Sequence, residues 1–106
     1  MARALIHAPA SARRGDIVEI RALVAHPMET GQRVDAEGRR LPRDIIRRVE
    51  CHYAGARVFA AELHAAIAAN PYVAFNLVAT RSGSIVVRWQ GDRGFDQNAS
   101  VELVVT

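Results

Sequence analysis

An antiparallel all-β sandwich is the fold class that this sequence of 106 residues predicts. Apolar and polar residues alternate with a period of two in several separate stretches, as they do in half-buried strands. Turn signals such as Ala54-Gly55 divide these stretches into hairpins. The apolar faces need a second sheet to cover them, and an immunoglobulin-like sandwich of about seven strands meets that need. The length is that of a single domain, residues 1–106, with enough chain to bury a core.

The second predicted strand shows the alternation most clearly. It begins at Asp16 and ends before His26-Pro27, because proline offers a sheet no N–H and forces an extended or turn geometry on the residue before it. Its polar face carries apolar residues as well, among them Ile17 and Leu23. We therefore expect that face to be partly covered too.

The remaining strands follow at short intervals. The alanine-rich stretch after Arg57 predicts a strand to about Glu62 and then one helical turn before Asn70-Pro71. Residues 11–15 and 91–98 are expected to be a polar turn and a polar loop. The predicted strands cover residues 3–7, 16–25, 44–53, 57–62, 72–80, 84–90 and 99–105.

A long segment without a clear period, residues 28–43, follows the second strand. Connections of that length are usually binding loops or mobile segments. Within it, residues 35–38 predict a tight turn with Gly38 in the left-handed position, closing a small flap of residues 32–34 and 39–41. Met28 at the tip of the loop has two interpretations: an apolar plug that folds back onto the core, or an exposed contact for a partner protein.

The charge is modest overall and basic in one region. The formal net charge is +3, and all fourteen basic residues are arginine. Six of them lie between residues 33 and 48, among three acidic residues. Such a patch suits an acidic protein surface or nucleic acid, but the interspersed acids and the lack of aromatic residues make nucleic acid the weaker choice. No apolar run is long enough for a membrane span, and the first residues lack a signal-peptide core.

Catalytic chemistry is not evident in the sequence. Cys51 lies on the apolar face of its strand, where free cysteines are usually buried and inert. The four histidines show no metal-ligand spacing, and no motif for a nucleophile or a phosphate-binding loop is present. We expect His26 to hydrogen-bond its turn, Trp89 to lie in the core, and His52 and His64 to be solvated. The sequence therefore predicts neither an enzyme nor a cofactor.

Several segments together resemble the SoxZ family, the Z subunits of the SoxYZ sulfur-oxidation carrier. The most specific is residues 26–31, HPMETG. The others are Asp35, Gly38 and residues 41–43, residues 66–72 (AIAANPY), and Trp89 with Gly91-Asp92. The likeness extends to residues 3–6 and 14–17, so that it covers nearly the whole chain in order.

This resemblance implies an immunoglobulin-like subunit in a tight heterodimer with a SoxY-type carrier subunit. In that family the Y subunit bears the sulfur-carrying cysteine on a flexible, glycine-rich C-terminal arm, and heme and hydrolase enzymes of the Sox pathway act on it transiently during thiosulfate oxidation. The family is periplasmic, and the Z subunit is exported with its signal-bearing partner. Here Cys51 is in the middle of a strand, so this chain is expected to be the non-catalytic scaffold, with no membrane or nucleic-acid partner.

The long loop is the expected partner interface. The residues assigned to it are His26, Pro27, Met28, Glu29, Thr30, Arg33, Arg39, Arg40 and Arg43. The alternative is that HPMETG forms only a rigid turn and that the arginines are solvated. Two other functions stay open, a generic immunoglobulin-like binding module and a basic nucleic-acid-binding module, and so does a homodimer of the isolated chain.

Overall fold

Eight strands form two sheets in the computed structural model, which describes residues 3–64, 67 and 69–106. The strands are β1 Ala4–His7, β2 Ser11–Ala12, β3 Ile17–Val24, β4 Ile46–Tyr53, β5 Ala56–Glu62, β6 Tyr72–Val78, β7 Gly83–Gly91 and β8 Asp96–Val105. One sheet has three strands in the order β1-β3-β6, and the other has five in the order β2-β8-β7-β4-β5. All pairs are antiparallel except β2 with β8. The prediction of an all-β, immunoglobulin-like sandwich is confirmed.

Two element predictions are wrong in detail. The stretch expected to be a polar turn contains β2, which pairs with the end of β8. In addition, β8 begins at Asp96 rather than at residue 99, and only a short 3-10 turn, Asp92–Gly94, separates it from β7. The reason is that residues 96–98 are all polar and exposed: even Gln97, which pairs with Trp89 on the core-facing side of β7, is not apolar, so this part of β8 has no apolar signature.

Other local predictions hold. The flap closes through a bridge between Val34 and Arg40, and the carboxylate of Asp35 accepts the N–H groups of residues 37 and 39. The β4–β5 hairpin turns at Ala54 and Gly55, both with positive φ, as a two-residue hairpin turn with this twist requires. β5 ends at Glu62 as expected, whereas the predicted helical turn includes residues 65, 66 and 68, which lie outside the described residues.

The core lies between the sheets and is apolar. β3 contributes every second residue from Val18 to Val24, and β4 and β7 do the same from the other side. Trp89 and Cys51 are both fully buried, as predicted. Phe59 on β5 and Phe75 on β6 stack at 4.3 Å between ring centroids and join the edges of the two sheets. No helix among the described residues is long and apolar enough to cross a membrane.

Candidate protein-binding site

The loops at one end of the sandwich meet around His26. We call this region the loop end and define it as residues 25–31, 42–45, 69–71 and 91–95. His26 is only 5% exposed, because the ring of Phe95 packs edge-on against it at 4.8 Å. Its Nδ1 accepts the N–H of Met28 at 3.0 Å, so the neutral imidazole carries its hydrogen on Nε2, which lies 3.5 Å from Asp44 Oδ1. The prediction that His26 hydrogen-bonds its own turn is confirmed.

A second segment is bonded to the same histidine through the backbone. The N–H of His26 donates to Oδ1 of Asn70 at 2.9 Å, and the N–H of Asn70 donates to the carbonyl of His26 at 2.7 Å. Asn70 has a positive φ of 54°, a conformation that asparagine tolerates better than most residues. The HPMETG and NPY segments, far apart in sequence, therefore form one surface.

Met28 lies in the core and not at an exposed tip. Its side chain is 4% exposed, and its sulfur accepts the N–H of Ile46 at 3.2 Å. Its backbone has a positive φ of 52°, which is unfavourable for a residue with a long side chain. The turn built by His26 imposes this conformation, and it directs the side chain inward. The plug interpretation of Met28 is the one that the structure supports.

The segment after Met28 is paired across the loop. Glu29 and Asp44 exchange two backbone hydrogen bonds, each of 2.8 Å. The side chain of Glu29 accepts from Arg33 Nε at 3.0 Å, and this hydrogen bond lowers the pKa of Glu29 and raises that of Arg33. Residues 29–33 are thus tied to one another and to the start of β4.

Asp92, directly after β7, is hydrogen-bonded to residues 43 and 45 at the other end of the same loop. Its carboxylate accepts two hydrogen bonds from the guanidinium of Arg43, at 2.8 and 2.9 Å, and one from the N–H of Ile45 at 3.2 Å. Burial alone would raise the pKa of Asp92, but these bonds hold it below its ordinary value. A Cβ on the preceding Gly91 would lie 2.5 Å from the carbonyl oxygen of Ile45, so only glycine allows the loop this close approach.

The structure brings together part of the predicted interface. His26, Met28, Glu29, Arg33 and Arg43 belong to one bonded network. Pro27 is exposed beside it, Thr30 is half-buried, and Arg39 and Arg40 extend from the flap. Sequence reasoning missed the network partners Asp44, Asn70, Asp92 and Phe95. Asn70 and Asp92 fall within motifs that signalled the family resemblance, but their roles depend on contacts with residues more than forty positions away.

The basic patch is largely neutralised. Besides Arg33 and Arg43, Arg48 pairs with Glu50 at 2.7 Å and Arg47 lies 3.7 Å from Asp92. These ion pairs weaken the positive field that a nucleic-acid interface requires. What remains exposed at the loop end is a shallow groove of about 520 Å³, lined by Ala25, His26, Pro27, Asp44, Ala69, Asn70 and Phe95.

Reactive groups are scarce in the described part of the chain. Residues 3–64, 67 and 69–106 contain no cluster of three or more histidine, cysteine, aspartate or glutamate side chains suited to a metal ion. Cys51 has no exposed surface, and burial raises its pKa to about 11. The loop end itself is a backbone framework held by hydrogen bonds, and it presents a few side chains to solvent.

Fold and loop end together define an immunoglobulin-like β-sandwich protein with a fixed loop surface at one end. The family model of the sulphur oxidation protein SoxZ matches residues 6–102, and the chain belongs to this family. Membership of this family makes it a subunit of the Sox sulfur-oxidation system. A comparison with curated protein sequences gives no significant match.

Solved structures share the fold at low sequence identity. The chain is similar to superoxide reductase (neelaredoxin) from Ignicoccus hospitalis, with 20% identity and a TM-score of 0.73 over 97% of this chain and 80% of that chain. It is also similar to the sulfur carrier protein SoxY from Chlorobium limicola f. thiosulfatophilum, with 19% identity and a TM-score of 0.67 over 97% of this chain and 78% of that chain. At these identities the likeness shows the fold alone.

Proposed function

We propose that this chain is the non-catalytic scaffold subunit of a heterodimeric sulfur carrier that works in thiosulfate oxidation. Its partner is a SoxY-type chain that carries the sulfur intermediates on a C-terminal cysteine. The complex acts in the periplasm, where this subunit arrives together with its partner, and the enzymes of the pathway bind it transiently. Membership of the SoxZ family supports the pathway, and the state of Cys51 supports the scaffold role.

The burial of Cys51 is the observation that carries the scaffold role. Sulfur transfer to a cysteine proceeds through the thiolate, which must reach the sulfur donor. With a pKa of about 11, roughly one thiol in ten thousand is ionised at neutral pH. The side chain also lies under the five-stranded sheet with no exposed surface. A working thiol must therefore come from another chain.

The bonded loop end supports a role in recognition. Because His26, Asn70, Asp44 and Asp92 fix the backbone, little conformational entropy is lost when a partner binds there. The exposed arginines of the flap, Arg39 and Arg40, offer donors to acidic groups of a partner or a docking enzyme. This surface is suited to contacts with the partner subunit or with the enzymes that act on the carrier.

Co-expression with the SoxY-family chain of the same genome tests the proposal. The two chains should elute together as one heterodimer in size-exclusion chromatography, and each should co-purify with a tag on the other. A Cys51→Ala variant should form the same heterodimer and support the same thiosulfate oxidation by the reconstituted system. Separate elution of two folded proteins, or loss of oxidation on replacing Cys51 in a heterodimer that still forms, would contradict the proposal.

A further inference from the structure

The outer face of the three-stranded sheet is unusually apolar. Of the nine large apolar side chains that are exposed in the described part of the chain, five lie on this face: Leu5, Ile17, Leu23, Tyr72 and Val78. The register of the strands places these five residues in two groups. Leu5, Leu23 and Tyr72 form one cross-strand row beside the loop end, while Ile17 and Val78 pair at the opposite end of the sheet.

The polar residues on this face occupy its two central rows, where His7 lies beside Arg21 and Asn76 lies beside Glu19. Arg21 and Glu19 lie next to each other between the two apolar rows and form an ion pair of 2.6 Å, so together they add no net charge. His7 lies opposite Arg21 on β1. A shallow cleft of about 500 Å³ runs along the first apolar row and is lined by Leu5, Ile6, His7, Arg21, Leu23 and Tyr72. Permanent interfaces are more apolar than the rest of a protein surface, and the two apolar rows on either side of this centre give the face that character.

The size of the face also suits a stable complex. β3 has eight residues, which at about 3.3 Å per residue gives roughly 26 Å along the strands. β3 and β6 span about 10 Å across that length, and the four-residue β1 adds a third strand, about 5 Å wide, over half of it. Protruding side chains expose more area than this flat outline of roughly 310 Å². A stable heterodimer buries about 800 Å² on each partner. The loop end adjoins the row at Tyr72 through Pro71, whose carbonyl accepts the N–H of Val24, and it supplies the remaining area.

We propose that this face is the permanent docking surface for the SoxY-type subunit, which rests on the proposed function above. A heterodimeric carrier needs one lasting interface, and the outer face of the five-stranded sheet is covered by ion pairs such as Arg88–Asp96. A second copy of this chain on the apolar face would leave the partner only that polar surface. SoxY from Chlorobium limicola has the same sandwich fold, so a partner of this kind has a sheet face that can pack against this one.

Three matched substitutions test the assignment. Leu5→Lys and Tyr72→Lys place a charge in the apolar row, and Val104→Lys places the same charge at an equally exposed position on the opposite sheet; the native side chains are 49%, 55% and 53% exposed. Each variant is measured against the wild-type SoxY-family partner by titration calorimetry, and thermal unfolding verifies that each is folded. We expect Leu5→Lys and Tyr72→Lys each to weaken the heterodimer by at least about 30-fold, and Val104→Lys by less than about threefold.

The outcomes separate the two proposals. If the wild-type chain does not bind the partner, the proposed function fails. If it binds and the folded variants at Leu5 and Tyr72 bind equally well, only the docking face is wrong, and the same holds if Val104→Lys is the change that abolishes binding. A wild-type homodimer that Leu5→Lys dissociates, and that the partner cannot displace, would assign the face to a second copy and overturn the proposal.

Discussion

The two outer faces of the sandwich differ sharply although their strands share the same alternation. On the five-stranded sheet, neighbouring outward positions carry opposite charges: Arg48 lies 2.7 Å from Glu50, and Arg57 lies 3.5 Å from the same carboxylate. On the three-stranded sheet, five of the ten outward strand positions are leucine, isoleucine, valine or tyrosine. Exposed ion pairs contribute little to stability, but they keep a surface hydrated and prevent edge and face association. Among the described residues the three-stranded face carries one such pair, Arg21–Glu19, which fits the proposal that this face is covered in the working complex.

The strongest test of this contrast lies within one strand. Ile20 and Ile17 both belong to β3, but Ile20 is fully buried whereas Ile17 is 72% exposed. Ile20→Ala should lower the free energy of unfolding by about 2–5 kcal/mol, because a cavity remains in the core. Ile17→Ala should change it by less than about 0.5 kcal/mol in the isolated chain. Urea unfolding of both variants measures the difference, and equal losses would mean that Ile17 is covered within the chain itself.

A smaller effect is expected at the loop end. Asp92→Ala removes the partner of Arg43 and leaves the N–H of the buried Ile45 without an acceptor, which should cost about 1–3 kcal/mol. The matched control is Asp96→Ala on the five-stranded face, where the exposed pair with Arg88 is screened by solvent and its loss should have little effect. Similar losses for both variants would contradict the distinction between the bonded loop end and the hydrated face.

The Asp92 site also predicts a response to acid. Its pKa in the folded protein lies below the ordinary value of 3.8, so its contribution is complete above that pH and is lost as the pH falls through the folded pKa. Wild-type and Asp92→Ala proteins should therefore converge in stability below about pH 3.8. Urea unfolding from pH 7 to pH 2 measures this, and a constant difference over the whole range would show that the carboxylate charge is not involved.

The smallest effect on stability at neutral pH is expected for Cys51, whose thiol lies on the inner side of the five-stranded sheet. The pKa of Cys51 is raised from 9.0 to about 11 in the folded protein, so the unfolded chain loses its proton first and stability falls as the pH rises from about 9 through 11. Cys51→Ala should lack this part of the alkaline loss. Urea midpoints at pH 7, 9 and 11 compare the two proteins, and parallel curves would show that the thiol ionises equally well in both states.

Most of the fold was predictable because its signals are local. The alternation of β3 and the Ala54-Gly55 turn each depend on neighbouring residues. The start of β8 was not predictable in the same way, since Gln97, at the position facing the side of Trp89, is polar like its neighbours and leaves no apolar pattern. The sequence shows the apolar residues Ile17 and Leu23 on the outward face of β3. The expectation that this face is partly covered is not met within the chain, where the two side chains are 72% and 37% exposed.

The candidate site was predictable only in outline. HPMETG lies within the bonded loop end, but the sequence leaves two interpretations of Met28 open until the turn geometry is known. The bonds that decide between them join residues far apart in sequence, such as His26 with Asn70 and Arg43 with Asp92. No periodicity links such pairs, because their approach is a result of strand order. The assignment of partner contacts to the nine predicted residues stays a prediction.

The central claim is that the reactive thiol belongs to the partner and not to this chain, and intact-protein mass spectrometry tests it directly. The reconstituted heterodimer is incubated with thiosulfate and the oxidising enzymes of the system, and the two chains are then separated without reductant. Added sulfur or thiosulfonate mass should be found on the SoxY-type chain, with the mass of this chain unchanged. A covalent sulfur adduct on Cys51 of the folded protein would contradict the account.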